Sequence, residues 1–526
     1  VTRTAQQHIK DDADITFTIT NSTISRANYT IKINTTESAE ANNATIVISS
    51  DSTVKTTTGG NAIYGNASDG LTVNNSGTVS SSESTKAIDL ANSSGATITN
   101  NSGGSIYASG RTISVGASDT ATINNYGKIY STTTGGQGNT IYSTDNTETL
   151  TLTNHSGGEI TSNSSSKSTL RIRKTSTITN SGTIKNNQGP SATAIELYGN
   201  NNTLTLKDGG IVVGIIDSSG SNNTLKLQHG VGKSYFYETS GNLTLEDLDG
   251  NNVVKGSAGS VGQGGNEFID ESLGYKSLNI RKSLTQFKNS DQFLDRDTAW
   301  VETFSSLLKR DGKSSSLKLE NSLVNFGANI IKPLENLNFV ISAETSLQNI
   351  SKDHDVDRIS ILSGFYFNNH QNSKKLKGEY FLLGGIALNK SERLILTNTT
   401  SSGLLNVTDN YENFEILFGN KLNNSFLIPD IGYTLGYSYT PSHKESQYFD
   451  WDDRHVLNIS AALSDEYTFF QSDKRNFSLG WILDYRTLAN NDDQNYLING
   501  TSTFYDQDDE LKKETSFSSN LNYTYK

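Results

Sequence analysis

One phrase, apolar–polar–Asn–Gly, keeps returning in the first two hundred residues. It reads TVNNSGTV at 72–79, TITNNSGGSI at 97–106, TINNYGKI at 122–129, TLTNHSGGEI at 151–160 and TITNSGTI at 177–184. Its glycines, Gly77, Gly103, Gly127, Gly157 and Gly182, recur at an interval of roughly 24–30 residues, the length of one repeat unit in a solenoid. A second phrase falls between: AIY at 62–64, AIDL at 87–90 and AIEL at 194–197. Each repeat therefore holds about three short strands, and a stack of such coils buries a continuous core that no single coil could bury alone.

Within a coil the inward positions are apolar, as at Ile98 and Ile178. Thr97 and Thr99 flank Ile98 and are expected to point outward, because strand side chains alternate. The glycine corners are expected to supply positive φ. The stacked Asn side chains are expected to hydrogen-bond from coil to coil. Further on, the phrase gives way to NNTLTL and NNTLKL within 201–227, then to GNLTLEDL at 241–248, which read as tighter coils of the same solenoid. A disordered Ser/Asn-rich tract is the competing reading. It sits poorly with only 4 Pro and with regular Ile, Val and Leu.

The 526 residues exceed one compact core, and the grammar changes near GSVGQGGNEF (259–268). Three segments are expected: 1–270, a connector at 271–297, and 298–526. In the last, FVISAETSLQ (339–348) sets Phe339, Ile341 and Leu347 against Glu344. LIPDIGYTLGYSYT (427–440) sets Tyr433, Leu435 and Tyr437 against Asp430 and Thr434. FSLGWILDYR (477–486) sets Phe477, Leu479, Trp481 and Leu483 against Asp484 and Arg486. A soluble all-β domain would bury the apolar set, whereas an outer-membrane barrel turns it to lipid and keeps the lumen polar. Strand lengths, aromatic strand ends and long loops such as 390–409 and 441–455 favour lipid for the first set and lumen for the second.

Candidate strands number about eleven, the tenth at 496–506 and the last at 514–526. Single-chain barrels of this kind have even counts, so either a twelfth strand lies beyond Lys526 or 454–475 divides in two. In the connector, Ile280, Leu284, Phe287 and Leu294 fall on one helix face, with Lys276, Arg281, Lys282 and Lys288 adding charge. A helix there of about 15 residues, roughly 22 Å long, would thread a polar lumen or else pack as an ordinary linker.

The order of Asn/Gly solenoid, helix and a barrel opening on DTAWVETF (297–304), together with NSGTI, NNTLTL and the mid-barrel LIPDIGYTLGYSYT, resembles the classical (type Va) autotransporters of Gram-negative bacteria over essentially the whole chain. That resemblance implies an all-β architecture: a right-handed parallel β-helix passenger, a pore helix, and a transmembrane antiparallel barrel of nominally 12 strands. It implies a passenger carried to the cell surface by its own translocator, outer-membrane lipid around the barrel, and barrel-assembly machinery during biogenesis. Members that cut their passenger loose use an Asn in the pore helix, and Asn279 and Asn289 lie in that segment.

No catalytic, cofactor or metal site is recognised. Cys is absent, which excludes thiolate sites. The seven His residues are scattered, and neither a G-x-S-x-G elbow nor an HExxH motif occurs. EDLDGNNVV (246–254) carries part of a calcium-loop pattern through Asp247, Asp249 and Gly250, but Leu245 occupies its first position. The net charge of -12 argues against nucleic acid as a partner. The reading that follows is an outer-membrane protein whose solenoid engages a host, cell-surface or glycan ligand. The alternatives are an enzyme passenger with its catalytic region upstream, and a soluble fibre-like structural protein.

Overall fold

The computed structural model describes residues 2–525 except 4–6, 10–13, 34–41, 67, 83–84, 92, 117–119, 145–148, 252–257, 261–265, 291–298, 311–319, 335–336, 370–376, 424–428, 473–474, 492–493, 499–501 and 507–512. The chain is all-β apart from one helix. It divides into two compact units: 1–261 with 395–405, and 262–394 with 406–526.

The first unit is a parallel β-solenoid. One column of nine strands, one per coil, forms its own sheet, and the other two strands of each coil join a second sheet. At about 4.8 Å per coil the column is roughly 40 Å long. Each face carries an apolar ladder held in register. Val73, Ile98, Ile123, Leu152, Ile178 and Leu204 form one such ladder, and all are fully buried. Burying a side chain of this size contributes about 1.5–3 kcal/mol, so the ladders supply the unit's main stabilisation.

A second ladder runs beside the first, two residues further along the same strands. Asn75, Asn100, Asn125, Asn154 and Asn180 are all fully buried. Each donates from Nδ2 to the Oδ1 of the next, at 2.8, 2.9, 2.8 and 2.8 Å. The coils on either side place Ile48 and Leu206 at the same position, so the ladder ends where the amide does. Asn75 Oδ1, which has no amide before it, is left without a partner among the described residues.

The corners differ from expectation. Positive φ occurs at Gly103 and Gly157, but Gly77, Gly127 and Gly182 are required for a different reason. A Cβ at Gly182 would stand 2.3 Å from the Gly158 carbonyl oxygen, and one at Gly127 would stand 2.3 Å from that of Gly104. In strand register the equivalents of Gly77, Gly127 and Gly182 are Gly104 and Gly158. Gly103 and Gly157 thus each belong to a two-residue insertion, Ser102–Gly103 and Ser156–Gly157. The series also continues one coil past Gly182, to Gly210, where a Cβ would stand 2.2 Å from Asn180 O.

Residues 395–405 belong to this unit. Ile395–Thr397 pair in parallel with Ser234–Phe236, and Asn398 Nδ2 donates to Gly214 O and Glu238 O at 3.0 and 2.8 Å. The loop expected at 390–409 is therefore mostly strand: Lys377–Thr397 and Leu404–Asn423 leave only a short turn between them.

The second unit is a curled antiparallel sheet with one helix. Ten long strands follow sequence order: Trp300–Arg310, Asn321–Pro333, Asn338–Ser351, His354–Asn369, Lys377–Thr397, Leu404–Asn423, Asp430–Thr440, Arg454–Gln471, Arg475–Asn491 and Lys513–Tyr525. The expected strand at 496–506 is not among them. Gln494–Ile498 and Ser502–Asp506 form a hairpin that pairs with Phe449–Trp451 in a separate small sheet. The count along the main path is thus ten rather than eleven, and Arg454–Gln471 is one undivided strand. Among the described residues no ladder joins the first strand to the last.

The helix, Asn266–Ser290, is also longer than expected. Its 25 residues span roughly 37 Å. It starts before residue 271 and runs through Gly274, a helix breaker by propensity. A Cβ at Gly274 would stand 3.1 Å from Arg486 Cδ and Asn458 Nδ2.

Candidate functional site

The sheet has an inverted polarity. Leu347, Tyr433, Leu435, Tyr437, Leu479 and Leu483 are exposed, and Phe339, Ile341, Phe477 and Trp481 are half-exposed on the same faces. On the opposite faces Glu344, Thr434, Asp484 and Arg486 are buried. Asp430, at the first position of its strand, is half-buried and paired with Lys421 at 3.1 Å. The outward apolar stretches Phe339–Leu347, Ile359–Phe367, Ile431–Tyr439 and Phe477–Tyr485 each run about nine residues, the length a tilted strand needs to cross a bilayer.

The buried polar face meets the helix. Ser283 donates to Glu302 of the first strand. Lys276 donates to Ser360 of the fourth strand and to Glu415 of the sixth. Arg281 reaches Thr434, Ser460 and Asp484 of the seventh, eighth and ninth. One helix touching strands from the first to the ninth requires the sheet to curl around it. The expected apolar face packs at the same time: Ile280, Leu284 and Phe287 are buried, with Phe287 against Trp300 and Tyr366 at ring centroids of 5.8 and 6.2 Å. Leu294 lies outside the described residues.

Two charge clusters fix the helix. In one, Glu415 accepts from Lys276 at 2.7 Å and from Arg358. In the other, Asp484 sits between Arg281 and Arg486, each at 3.3 Å. All six side chains are buried. A buried charge is tolerated only when paired, so these residues specify where the helix lies. The glycines of LIPDIGYTLGYSYT give it room. A Cβ at Gly436 would stand 3.3 Å from Leu273, and one at Gly432 would stand 3.6 Å from the Arg281 guanidinium carbon.

Direction follows from these contacts. Ile269, near the start of the helix, packs with Leu308, Leu323, Ile350 and Val356 at the end of the sheet that carries the 441–453 loop. Phe287, near its finish, packs against Trp300 at the other end. Sequence reasoning missed Arg358, Glu415 and Glu302. Their signal was a lone charge on the polar side of an otherwise apolar alternation, as in NFEILFG (413–419).

A second cluster lies at the loop end. His443 is 3.3 Å from Asp409 and stacks on Tyr411 at 4.5 Å, while Glu445 pairs with Arg393 at 2.5 Å and accepts from Trp451 at 2.7 Å. These groups line a cavity of about 50 Å³. Among the described residues no group of three or more His, Asp or Glu is placed to hold a metal ion. Within EDLDGNNVV the described residues 246–251 form a capped turn: Asp247 Oδ1 accepts from the amides of Asp249 and Asn251 at 2.8 and 3.1 Å, and Gly250 has φ 86°; residues 252–254 lie outside the described residues. Asn279 lies half-buried on the helix, and its side-chain amide nitrogen has no hydrogen-bond partner among the described residues.

A scan against protein-family models returns no match, and a search of curated protein sequences returns none.

Proposed function

We propose that this chain is an outer-membrane translocator that displays its own β-solenoid at the cell surface, where the solenoid engages surface ligands. The observation that carries this reading is the inverted sheet: apolar stretches of bilayer length face outward, and buried charges face a helix. In water such a sheet would expose a large apolar surface, which soluble monomers rarely do. In a bilayer the same surface is solvated by lipid and the polar face lines a lumen.

The helix direction supports the same reading. The chain enters the helix at the loop end and starts its first strand from the opposite end. This is the path of a segment threaded through a pore from outside to inside. In this proposal the strands close into a barrel around the helix, the exposed set (Leu347, Tyr433, Leu435, Tyr437, Leu479, Leu483 and their neighbours) meets lipid, and the Lys276 and Arg281 clusters plug the pore.

Protease shaving tests it. In a Gram-negative host expressing the chain, protease added to intact cells should remove 1–261 and leave a membrane-held fragment containing 300–525. Protection of the solenoid in intact cells, or recovery of the whole chain in the soluble fraction, would overturn the proposal.

A further inference from the structure

The repeat phrases build scaffold, so the residues that depart from them carry the information. One outward strand position departs in every coil. Asp89, Ser114, Tyr142, Arg171, Glu196 and Asp217 are register partners in successive coils. They form a single row of about 24 Å along the solenoid. Their side chains point away from the core, yet Asp89, Ser114 and Tyr142 are only 7%, 3% and 9% exposed. The row is recessed because neighbouring segments rise beside it. Asn61 donates to Asp89 at 2.9 Å, Lys86 pairs with Asp89 at 2.8 Å, and Ser168 donates to Glu196 at 2.9 Å.

The middle of the row is cationic and aromatic. The Arg111 guanidinium lies 3.6 Å over the Tyr142 ring, and its Nε is buried with no hydrogen-bond partner among the described residues. Arg173 lies 4.4 Å over Tyr198 in the next coil. Beyond Tyr142, Arg171 and Glu196 pair at 3.5 Å. With Lys167, Ser168, Asn186 and Asp217 they line a polar hollow of about 350 Å³.

The chemistry of the row narrows its partner. It is a strand face whose backbone groups already bond from coil to coil, so an added peptide strand has no free edge to join. It offers no apolar stripe for lipid or an amphipathic helix. Its carboxylates and serines offer hydrogen bonds that a polyphosphate, which has no hydroxyls, would leave unmade. What fits is an extended polymer rich in hydroxyls with carboxylates at intervals. Guanidinium forks take carboxylates bidentately, and Glu196, Asp217 and the serines hydrogen-bond hydroxyls.

We propose that this recessed row binds a linear uronate-containing polysaccharide, with Arg111 and Arg171 contacting its carboxylates. The inference deepens the surface-ligand reading above and depends on it only for where the polymer is encountered. The test uses the purified full chain in detergent and polygalacturonate as probe, with dextran as the neutral comparison. Polygalacturonate should bind more tightly than dextran. Arg111→Gln and Arg171→Ala should each weaken it by about tenfold, the loss of one charge-assisted fork, at an unchanged unfolding midpoint. Lys226→Ala, which removes a cation outside the row, should leave binding intact. Absence of polygalacturonate binding, or equal weakening by Lys226→Ala, would overturn the proposal. If expressing cells still adhere to host surfaces while the purified chain ignores polygalacturonate, only this inference fails and the display reading stands.

Discussion

Lys276 of the helix and Glu415 of the sheet meet at 2.7 Å with both side chains essentially removed from solvent. Glu415 also accepts from Arg358, so the two partners are not equivalent. Glu415→Gln strands two buried cations, whereas Lys276→Met leaves the Arg358 pair in place. Breaking a buried pair costs about 3–5 kcal/mol. Glu415→Gln should therefore lower the thermal midpoint of the detergent-solubilised sheet clearly more than Lys276→Met. Equal midpoints for the two variants would show that Arg358 does not depend on Glu415.

Acid should weaken the solenoid through His229. Its Nε2 lies 2.9 Å from the Tyr237 hydroxyl. Burial, with a smaller contribution from Lys233, lowers its pKa from 6.5 to about 4. The folded state thus keeps the ring neutral where the unfolded chain protonates it. The associated stability is complete above about pH 6.5 and is lost as pH falls towards 4, by at most about 3 kcal/mol. Urea titrations of the full chain at pH 7.5 and 4.5 should show this loss, and His229→Gln should flatten it.

The asparagine ladder should respond according to position. Asn125→Ala removes an acceptor from Asn100 and a donor to Asn154, both buried. Each orphaned group costs about 1–3 kcal/mol. Asn75→Leu removes one donor group, the Nδ2 that serves Asn100 Oδ1 and the carbonyls of Gly77 and Ser105, but no acceptor in use, since its Oδ1 has no partner among the described residues, and it restores the apolar character of Ile48 in the preceding coil. Chemical denaturation should rank Asn125→Ala as the more damaging change.

Two glycine substitutions separate the two kinds of corner. Gly103→Ala meets nothing within 4 Å and is penalised only by φ 82°, about 1 kcal/mol. Gly182→Ala drives a Cβ against the Gly158 and His155 carbonyl oxygens at 2.3 and 2.5 Å, so adjacent coils must separate. Limited proteolysis should cut the Gly182→Ala chain near 155–185 and spare the Gly103→Ala chain there.

Periodicity made the solenoid, the inverted sheet and the helix legible, because period two and the coil repeat are local properties of sequence. What failed was long-range or positional. YLING and STFYD within 496–506 alternate like any strand, and only the pairing of Tyr496–Ile498 with Phe449–Trp451, and of Ser502–Asp506 with Gln494–Ile498, separates them from the main sheet. Gly103 and Gly182 look alike in their phrases, yet a two-residue insertion places only one of them against the previous coil. Glu415 and Arg358 looked like ordinary polar-face residues, since the Lys276 that joins them lies 139 residues from Glu415 in sequence. Asn-to-Asn stacking was readable because identical residues at identical coil positions have to meet.

The central claim is that the outward faces of 300–525 contact lipid. The chain has no Cys, so single substitutions report cleanly. The most direct measurement labels Leu435→Cys and Asp452→Cys with an environment-sensitive fluorophore after reconstitution into bilayers, then compares quenching by acyl-chain nitroxide lipids and by aqueous iodide. The account predicts that lipid nitroxide quenches position 435 and iodide quenches position 452. Quenching of position 435 by iodide, with none by nitroxide lipid, would contradict it.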